Sequence, residues 1–265
     1  MDITISNICN LLSLRLIADY YGVDYRELEG YYRELTVDSH FLTAVNARID
    51  ACRDLYPKGL FLHRDIDSVD WFGNQRVALY VLIRLLKPKM CLETGVFYGG
   101  TSAFILNALA RNKEGRLISI DLPGNELEKN RVKRHDKVGD SEIIPEGLET
   151  GFIIPEFLKD RWKLITGDSL EVLKGIKEQF SFYAHDSEHS YGFVIQEMEL
   201  ARSKMSKDGT MFADDINWSN GFLEFAVKHK LYPLLLTDNG KFNLLVRLGL
   251  IRLDHPNNGK HDVTG

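Results

Sequence analysis

A glycine-containing turn between an apolar run and the start of a helix constrains the fold of this chain more than any other feature. The segment Met90–Ser102, MCLETGVFYGGTS, is expected to form a buried strand, a tight turn and the first turn of a helix. Gly95 is followed two positions later by Phe97, so the segment lacks the second glycine of the dinucleotide-binding pattern G-x-G-x-x-G. It also lacks the Walker pattern, because Gly100 is followed by Thr101 rather than by lysine. The turn therefore suits a nucleoside whose neighbouring group is small and is not a phosphate.

Acidic residues follow two further apolar runs. Asp121 ends the segment Leu-Ile-Ser-Ile-Asp, and Asp168 follows the segment Leu-Ile-Thr-Gly. In an open α/β sheet, ligands bind beyond the carboxyl ends of the strands. An ionised carboxylate at such a strand end can accept two hydrogen bonds from the vicinal hydroxyls of a ribose. Together with the glycine turn, these acidic residues predict a nucleoside pocket at the edge of a sheet.

Seven short apolar runs are expected to be strands. They are Met90–Thr94, Arg116–Asp121, Lys163–Thr166, Phe180–His185, Thr210–Asp214, Tyr232–Thr237 and Phe242–Leu248. Apolar strands that alternate with helical segments indicate a mostly parallel sheet covered on both faces. The last two runs are joined by Asp238-Asn239-Gly240, which is typical of a hairpin turn. We therefore expect an α/β fold whose last strand is antiparallel.

The remaining segments suggest how the chain is divided. Phe41, Val45, Ile49 and Cys52 recur at helical spacing in the N-terminal part. The long connection before the third strand mixes apolar residues with proline and glycine, which is typical of a lid, although a surface insertion is the alternative. The expected organisation is a helical cap or dimerisation arm at 1–70, a ligand-binding domain at 71–250 with a lid insertion at 124–160, and a polar tail at 251–265. The N-terminal helices also offer a surface for a homo-oligomer.

Composition excludes several classes of partner. A formal net charge of −5 over 265 residues provides no basic field for nucleic acid. No apolar run approaches the roughly 18 residues of a membrane span, and the apolar N-terminal stretch is interrupted by Arg15 and Asp19 without a basic leader, unlike a secretory signal. Cys9, Cys52 and Cys91 have no metal-binding spacing, which favours a reducing compartment. We expect a soluble, cytoplasmic protein that acts on a small molecule.

A second group of polar residues follows the fourth and fifth expected strands. Asp186 and His189 come after the fourth strand, and Asp214 and Asp215 come at the end of the fifth. Because the carboxyl ends of parallel strands meet at one edge, three carboxylates are expected to converge beside the nucleoside pocket. Crowded carboxylates repel one another and raise each other's pKa unless a cation lies between them. Since hard oxygen ligands suit Mg²⁺, with Mn²⁺ or Ca²⁺ as alternatives, the predicted metal ligands are Asp186, Asp214 and Asp215.

Each of these residues also has a simpler interpretation. Asp186 could cap the following helix, and His189 could be a surface residue of its first turn. Asp214 could contact an acceptor without any ion. His185 should point to the opposite face of its strand from Asp186 and have a structural role.

The glycine segment resembles motif I of class I S-adenosylmethionine (SAM) methyltransferases, whose pattern is roughly [ED]-x-G-x-x-x-G-x-[ST]. Glu93, Gly95, Gly99 and Thr101 occupy its positions. The resemblance implies a Rossmann-like sheet of seven strands with an antiparallel last strand, SAM as the cofactor, and Asp121 as the ribose ligand. The cofactor-binding residues it implies are Glu93, Thr94, Gly95, Gly99, Thr101, Ser102, Asp121, Gly167, Asp168, Ser169 and Asp186.

The second group of polar residues is similar to that of the divalent-metal-dependent O-methyltransferases. The catechol-type enzymes carry an Asp-Asn pair after the fifth strand, whereas this chain carries Asp214-Asp215. That pair and the Asp-x-x-His spacing of Asp186 and His189 look closer to the macrolide-sugar O-methyltransferases. The resemblance implies Asp186 and His189 as catalytic residues, His189 as general base, and O-methylation of a sugar, polyol or catechol.

Three other functions are weighed against this one. The first is a non-catalytic SAM-binding regulatory module, which would keep the nucleoside pocket. The second is an NAD-linked oxidoreductase on a related fold, which Phe97 disfavours. The third is metal-free N-methylation, which lacks its usual Asn/Asp-Pro-Pro-Tyr motif because Asp186-Ser-Glu-His189 stands there.

Overall fold

The computed structural model of the chain describes residues 5–55, 73–122, 144, 147–239 and 244–260. Several sequence-based expectations fall outside these ranges. They concern most of the lid (124–143, 145 and 146), Gly240 of the hairpin turn, and the end of the polar tail from 261 onward.

Seven strands are found in the described part of the chain, and each corresponds to one of the expected runs. They are β1 (Met90–Thr94), β2 (Arg116–Asp121), β3 (Trp162–Thr166), β4 (Phe180–His185), β5 (Met205–Ala213), β6 (Pro233–Asn239) and β7 (Leu244–Arg252). They form one sheet in the order β3-β2-β1-β4-β5-β7-β6. The pairs from β3 to β5 are parallel, and β7 is antiparallel to both β5 and β6. The predicted Rossmann-like sheet, mostly parallel with an antiparallel last strand, is therefore confirmed.

The largest difference from the expected strand bounds is at the start of β5. β5 begins at Met205 rather than at Thr210. The residues between, 206–209, are polar or lack a side chain, so their extended conformation is invisible in the apolar pattern. Met205 pairs with Phe180, and the register shifts before Phe182 pairs with Thr210. An irregularity of this kind absorbs extra residues on one strand without ending the pairing.

The strand register brings four carboxyl ends to one edge of the sheet. Thr94, at the end of β1, pairs with Ile120 of β2 on one side and with His185 of β4 on the other. His185 pairs in turn with Ala213, the last residue of β5. The segments that follow β1, β2, β4 and β5 therefore begin side by side.

Helices cover both faces of the sheet. They are α1 (Ile5–Tyr21), α2 (Tyr25–Thr36), α3 (Ser39–Cys52), α4 (Asn74–Leu86), α5 (Gly100–Asn112), α6 (Ser169–Gly175), α7 (Tyr191–Ser203) and α8 (Gly221–Lys228). One buried apolar cluster joins α1–α5 to the face that presents Phe182, and a second joins α6–α8 to the face that presents Tyr183. Across the described ranges, no helix combines the length and the apolarity needed to cross a bilayer.

The N-terminal helices pack into the first of these clusters. Leu14 of α1 and Leu28 of α2 are fully buried and belong to the same cluster as Leu236 of β6. Other apolar side chains of α1, among them Leu12 and Leu16, are exposed. Self-association through these helices stays a prediction.

Candidate active site

The glycine turn after β1 lies against the end of β4. Gly95 has a φ of +84°, in the left-handed region that favours glycine, and its N–H donates to the Ile120 carbonyl oxygen at 2.9 Å. A Cβ atom at Gly95 would lie 1.8 Å from the backbone oxygen of Asp186. The N–H of Asp186 donates to the Thr94 carbonyl oxygen at 2.9 Å. Glycine is therefore required by the close approach of two backbone segments, which also brings the turn next to Asp186.

The carboxylate of Asp121, at the end of β2, holds this turn. Its Oδ2 accepts hydrogen bonds from the N–H groups of Val96 at 3.1 Å and Phe97 at 2.6 Å. Its Oδ1 accepts from the N–H of Leu122 at 2.8 Å. Phe97 has a φ of 52°, a conformation that costs energy for a residue with a side chain and that these hydrogen bonds help to maintain. Asp121 thus shapes the turn and also faces the space that it encloses.

A cavity of about 360 Å³ opens at this edge of the sheet, within the size range of small-molecule sites. It contains both groups of residues that the sequence singles out. The predicted site residues that line it are Gly95, Thr101, Asp121, Gly167, Ser169, Asp186, His189, Asp214 and Asp215. The other predicted site residues do not line the cavity; they are Glu93, Thr94, Gly99, Ser102 and Asp168.

The Glu93 side chain is buried and hydrogen-bonded next to the glycine turn. Its Oε2 accepts hydrogen bonds from the hydroxyls of Ser102 at 2.6 Å and Ser119 at 2.7 Å. Its buried Oε1 has no hydrogen-bond partner. Burial raises the pKa of Glu93 to about 7, against the effect of the two serine hydrogen bonds and with a smaller contribution from Asp121. Glu93 and Ser102 therefore form a buried pair that joins β1 to α5.

Thr94 belongs to a polar network on the other face of the sheet. The carboxylate of Glu197, in α7, accepts from the Thr94 hydroxyl at 2.8 Å, from the Tyr183 hydroxyl at 2.8 Å and from Ser187, and it lies 2.5 Å from Nδ1 of His185. Burial acts to raise the pKa of Glu197, but its interactions with His185 and its hydrogen bonds outweigh that effect and lower the pKa to about 2. His185 thus lies on the opposite face from Asp186, as strand alternation predicts.

Gly99 and Asp168 are both at helix starts. Gly99 precedes the first residue of α5 with a φ of +91°. Oδ1 of Asp168 accepts from the N–H groups of Leu170 at 3.0 Å and Glu171 at 3.2 Å, which caps α6. The cofactor role predicted for these two residues stays a prediction.

The three predicted metal ligands converge on one side of the cavity. Oδ2 of Asp186 accepts from Nε2 of Gln75 at 3.0 Å and from the Thr101 hydroxyl at 3.3 Å. Burial, followed by the charge of the neighbouring Asp215, raises the pKa of Asp186 to about 7. Burial, followed by the charges of Asp186 and Asp215, raises the pKa of Asp214 well above its usual value. Oδ1 of Asp214 is buried without a hydrogen-bond partner.

Asp215 differs from the other two carboxylates because it is paired with a cation. Its Oδ1 accepts hydrogen bonds from two nitrogens of Arg247, with Nε at 2.7 Å and Nη2 closer still. Its Oδ2 lies 3.9 Å from Nε2 of His189, whose ring is 5.6 Å from that of Trp218. Asp215 therefore lies between a permanent cation and the predicted base.

These carboxylates do not fit a divalent cation in the arrangement observed. Within the described ranges, no three His, Cys, Asp or Glu side chains are grouped so that they could hold a metal ion. Mg²⁺ requires close, near-octahedral oxygen ligands at about 2.0–2.1 Å. One carboxylate oxygen of the three predicted ligands, Oδ1 of Asp215, is instead held by the Arg247 guanidinium.

Sequence reasoning missed residues that reach the site from distant segments. Gln75 and Arg76, in the first turn of α4, line the cavity, and Arg76 donates to the Tyr98 hydroxyl at 2.5 Å. Arg247 comes from the start of β7. The available signals were a polar pair opening an otherwise apolar helix and a lone arginine within an apolar run.

Comparisons with known proteins agree with this fold. Residues 92–216 match the family model described as "Methyltransferase domain". The O-methyltransferase TomG from Streptomyces achromogenes, involved in tomaymycin synthesis and solved with SAM, has 14% sequence identity and a TM-score of 0.52 over 79% of this chain and 88% of that chain.

Two further solved structures have the same fold. An O-methyltransferase from Bacillus cereus, in complex with S-adenosylhomocysteine (SAH), has 17% identity and a TM-score of 0.52 over 81% of this chain and 91% of that chain. A Klebsiella pneumoniae protein has 14% identity and a TM-score of 0.54 over 94% and 99%. No curated protein matches the chain in sequence. Residues 92–216 therefore match a methyltransferase domain, and the described residues have the fold that the resemblance to class I methyltransferases predicts.

Proposed function

We propose that this chain transfers the methyl group of SAM to a hydroxyl oxygen of a small acceptor, such as a sugar, a polyol or a catechol. The observation that carries the proposal is that Gly95 and Asp121 line the same cavity as Asp186 and His189. A nucleoside donor and a hydroxylated acceptor can therefore lie side by side. The SAM and SAH bound to the structurally similar O-methyltransferases support this donor.

The donor side of the cavity suits a nucleoside without a phosphate. The Asp121 carboxylate lines the cavity and offers acceptor oxygens of the kind that ribose hydroxyls bind. Phe97 stands where a dinucleotide-binding turn needs glycine to approach a pyrophosphate, and its side chain lines the cavity. These features favour SAM over NAD.

The reaction is a direct displacement. Bound SAM supplies an electrophilic methyl group attached to a sulfonium. The acceptor oxygen forms a bond to that carbon as the carbon–sulfur bond breaks, and SAH leaves as a neutral thioether. Holding the acceptor oxygen in line with the breaking bond can contribute on the order of 7–11 kcal/mol.

Removal of the acceptor proton is assigned to His189. Its imidazole lines the cavity, and Oδ2 of Asp215, at 3.9 Å, can stabilise the imidazolium that forms. The proton then passes from His189 to solvent. Asp186, with its pKa near 7, can orient the acceptor hydroxyl through a hydrogen bond.

We derive no step through a divalent cation, although the sequence predicts one. The reason is the donor set, since Asp215 accepts two hydrogen bonds from Arg247. The reaction proposed here is complete without an ion.

Calorimetry with SAH tests the donor site. We expect micromolar binding to the wild-type chain and an affinity about tenfold or more lower for Asp121→Asn, because hydrogen bonds to charged groups contribute about 1.5–3 kcal/mol each. Asp24→Asn is the matched control, since asparagine also caps helices and Asp24 caps α2 away from the cavity. An absence of SAH binding would refute the proposal.

Methyl transfer is then measured with labelled SAM and a panel of sugars, polyols and catechols. Label appearing on an acceptor oxygen supports the proposal. Tight SAH binding without transfer to any hydroxylated acceptor would instead indicate a regulatory SAM-binding module.

A further inference from the structure

Asp215, one of the three carboxylates that line the cavity, forms an ion pair with Arg247. The side chains are mostly shielded from water, with 26% of Arg247 and 14% of Asp215 exposed. The pair is held by the backbone as well, because the N–H of Ile216 donates to the Arg247 carbonyl oxygen at 2.9 Å. The guanidinium is therefore fixed to the segment that carries both Asp214 and Asp215.

The orientation of this pair leaves one carboxylate oxygen for the site. Both Nε and Nη2 of Arg247 donate to Oδ1 of Asp215, while Oδ2 faces Nε2 of His189 at 3.9 Å. Asp215 has a φ of 49°, a left-handed conformation that is uncommon for aspartate and is maintained by its surroundings. An arginine carries its charge at every physiological pH, so the pairing does not depend on an ion from solution.

The charge balance of the site also fits a resident cation. Asp186, Asp214 and Asp215 line the cavity together, and like charges at that proximity repel. Arg247 contacts one of them directly, and Arg76 lines the same cavity. Positive charge is thus supplied by the chain itself at the place where the sequence predicts a metal.

We infer that the Arg247 guanidinium is the resident cation of this carboxylate group, so that the site works without a divalent metal ion and Arg247 acts as a positioning residue. The inference rests on the proposed function, in which Asp215 supports His189. By holding Oδ1, Arg247 directs Oδ2 towards the base. Its removal would leave Asp215 without its paired cation beside Asp186 and Asp214, and such a set of carboxylate oxygens is one that hard cations bind.

Titration with Mn²⁺, followed by the paramagnetic signal of the free ion, tests this without any substrate. We expect no saturable Mn²⁺ binding to the wild-type chain and a gained site in Arg247→Met. The matched control is Arg252→Met, on the same strand, because Arg252 pairs with Asp254 and lies over the Tyr21 ring, away from the cavity. Arg252→Met should remain without Mn²⁺ binding.

Methyl transfer in the presence of EDTA provides the second readout. We expect full wild-type turnover in chelator, a lower kcat with unchanged SAH affinity in Arg247→Met, and partial recovery of kcat in Arg247→Lys. Stoichiometric Mn²⁺ binding to the wild type, or turnover lost in EDTA and restored by Mg²⁺, would overturn the inference. These wild-type results decide the question even if Arg247→Met does not fold. SAH calorimetry separates this outcome from failure of the proposed function, because it requires neither Arg247 nor an ion.

Discussion

At the scale of single residues, Gly95 is the position where both the fold and the site require the absence of a Cβ atom. Because a Cβ there would lie 1.8 Å from the Asp186 oxygen, Gly95→Ala must displace either the turn or the end of β4. We expect loss of SAH binding together with destabilisation of at least about 2 kcal/mol. Gly30→Ala, in the exposed interior of α2 with nothing near the added Cβ, should instead stabilise by about 0.5–1 kcal/mol. Urea denaturation and calorimetry of both variants check this pair.

His189 is predicted to act on the acceptor and not on the donor. His189→Ala should reduce turnover by about 10²–10⁴-fold, the usual contribution of a general base. SAH affinity should not change, because the nucleoside side of the cavity is formed by Gly95 and Asp121. An unaffected rate would mean that His189 is only a surface residue of the first turn after β4.

The raised pKa of Glu93 predicts that the free energy of unfolding falls as the pH rises. Burial raises its pKa from the usual 4.5 to about 7, so the folded state keeps a proton that the unfolded state has lost. The contribution of Glu93 to the free energy of unfolding is therefore complete at low pH and is lost as the pH rises from 4.5 towards 7. At about 1.4 kcal/mol per pH unit, the loss is on the order of 3 kcal/mol.

Glu93→Gln isolates that contribution, because glutamine imitates the protonated acid at every pH. Its amide oxygen can still accept from Ser102 and Ser119. In urea titrations the variant should match the wild type near pH 5 and exceed it near pH 8. Equal stability of the two proteins at the higher pH would contradict the raised pKa.

Sequence reasoning identified the site residues that are marked by a pattern in their own short segment. Gly95, Asp121 and Asp186 each follow directly from a strand end, so strand recognition was enough to place them together. Arg247 could not be placed in this way, because its approach to Asp215 depends on how β7 pairs with β5. Local reasoning also could not tell which motif residues line the cavity, since Glu93 belongs to the motif but is fully buried and is not a lining residue.

At the scale of elements, the apolar runs located all seven strands because buried parallel strands are apolar on both faces. The start of β5 escaped this reasoning, since the residues after Met205 lack apolar side chains and lie in the irregular stretch between its paired positions with β4. The same limit applies to the N-terminal helices. The spacing of their apolar residues predicted helices. The surface that these helices cover, however, is determined by their contacts with α4 and β6.

The packing of α1 gives a prediction at this scale. Leu14 is fully buried in the cluster that α1 shares with the sheet, so Leu14→Ala should destabilise the chain by about 2–5 kcal/mol. Leu12→Ala is the matched control on the same helix, because Leu12 is 54% exposed and loses little contact. Urea denaturation at low protein concentration measures both. Similar effects of the two changes would mean that α1 is not anchored as described.

At the scale of the whole molecule, the site depends on elements from both apolar clusters. α4 and α5 reach the cavity from one face of the sheet through Gln75 and Thr101, while Phe193 of α7 reaches it from the other. The polar network around Glu197 lies between these layers and ties α7 to β1 and β4 through Thr94 and His185. A ligand in the cavity therefore contacts parts of the fold that pack in different clusters.

This arrangement predicts that SAH stabilises the entire described fold rather than one face of it. A ligand that binds only the folded state contributes about 2.7 kcal/mol at a concentration 100 times its Kd. We expect a single thermal transition that moves to higher temperature with SAH in the wild type and equally in His189→Ala. Asp121→Asn should show little movement at the same concentration. NAD should produce none in any variant, because Phe97 stands at the position where a pyrophosphate needs glycine. A shift with NAD but not with SAH would mean that the cavity is a dinucleotide site and that the methyl-transfer proposal is wrong.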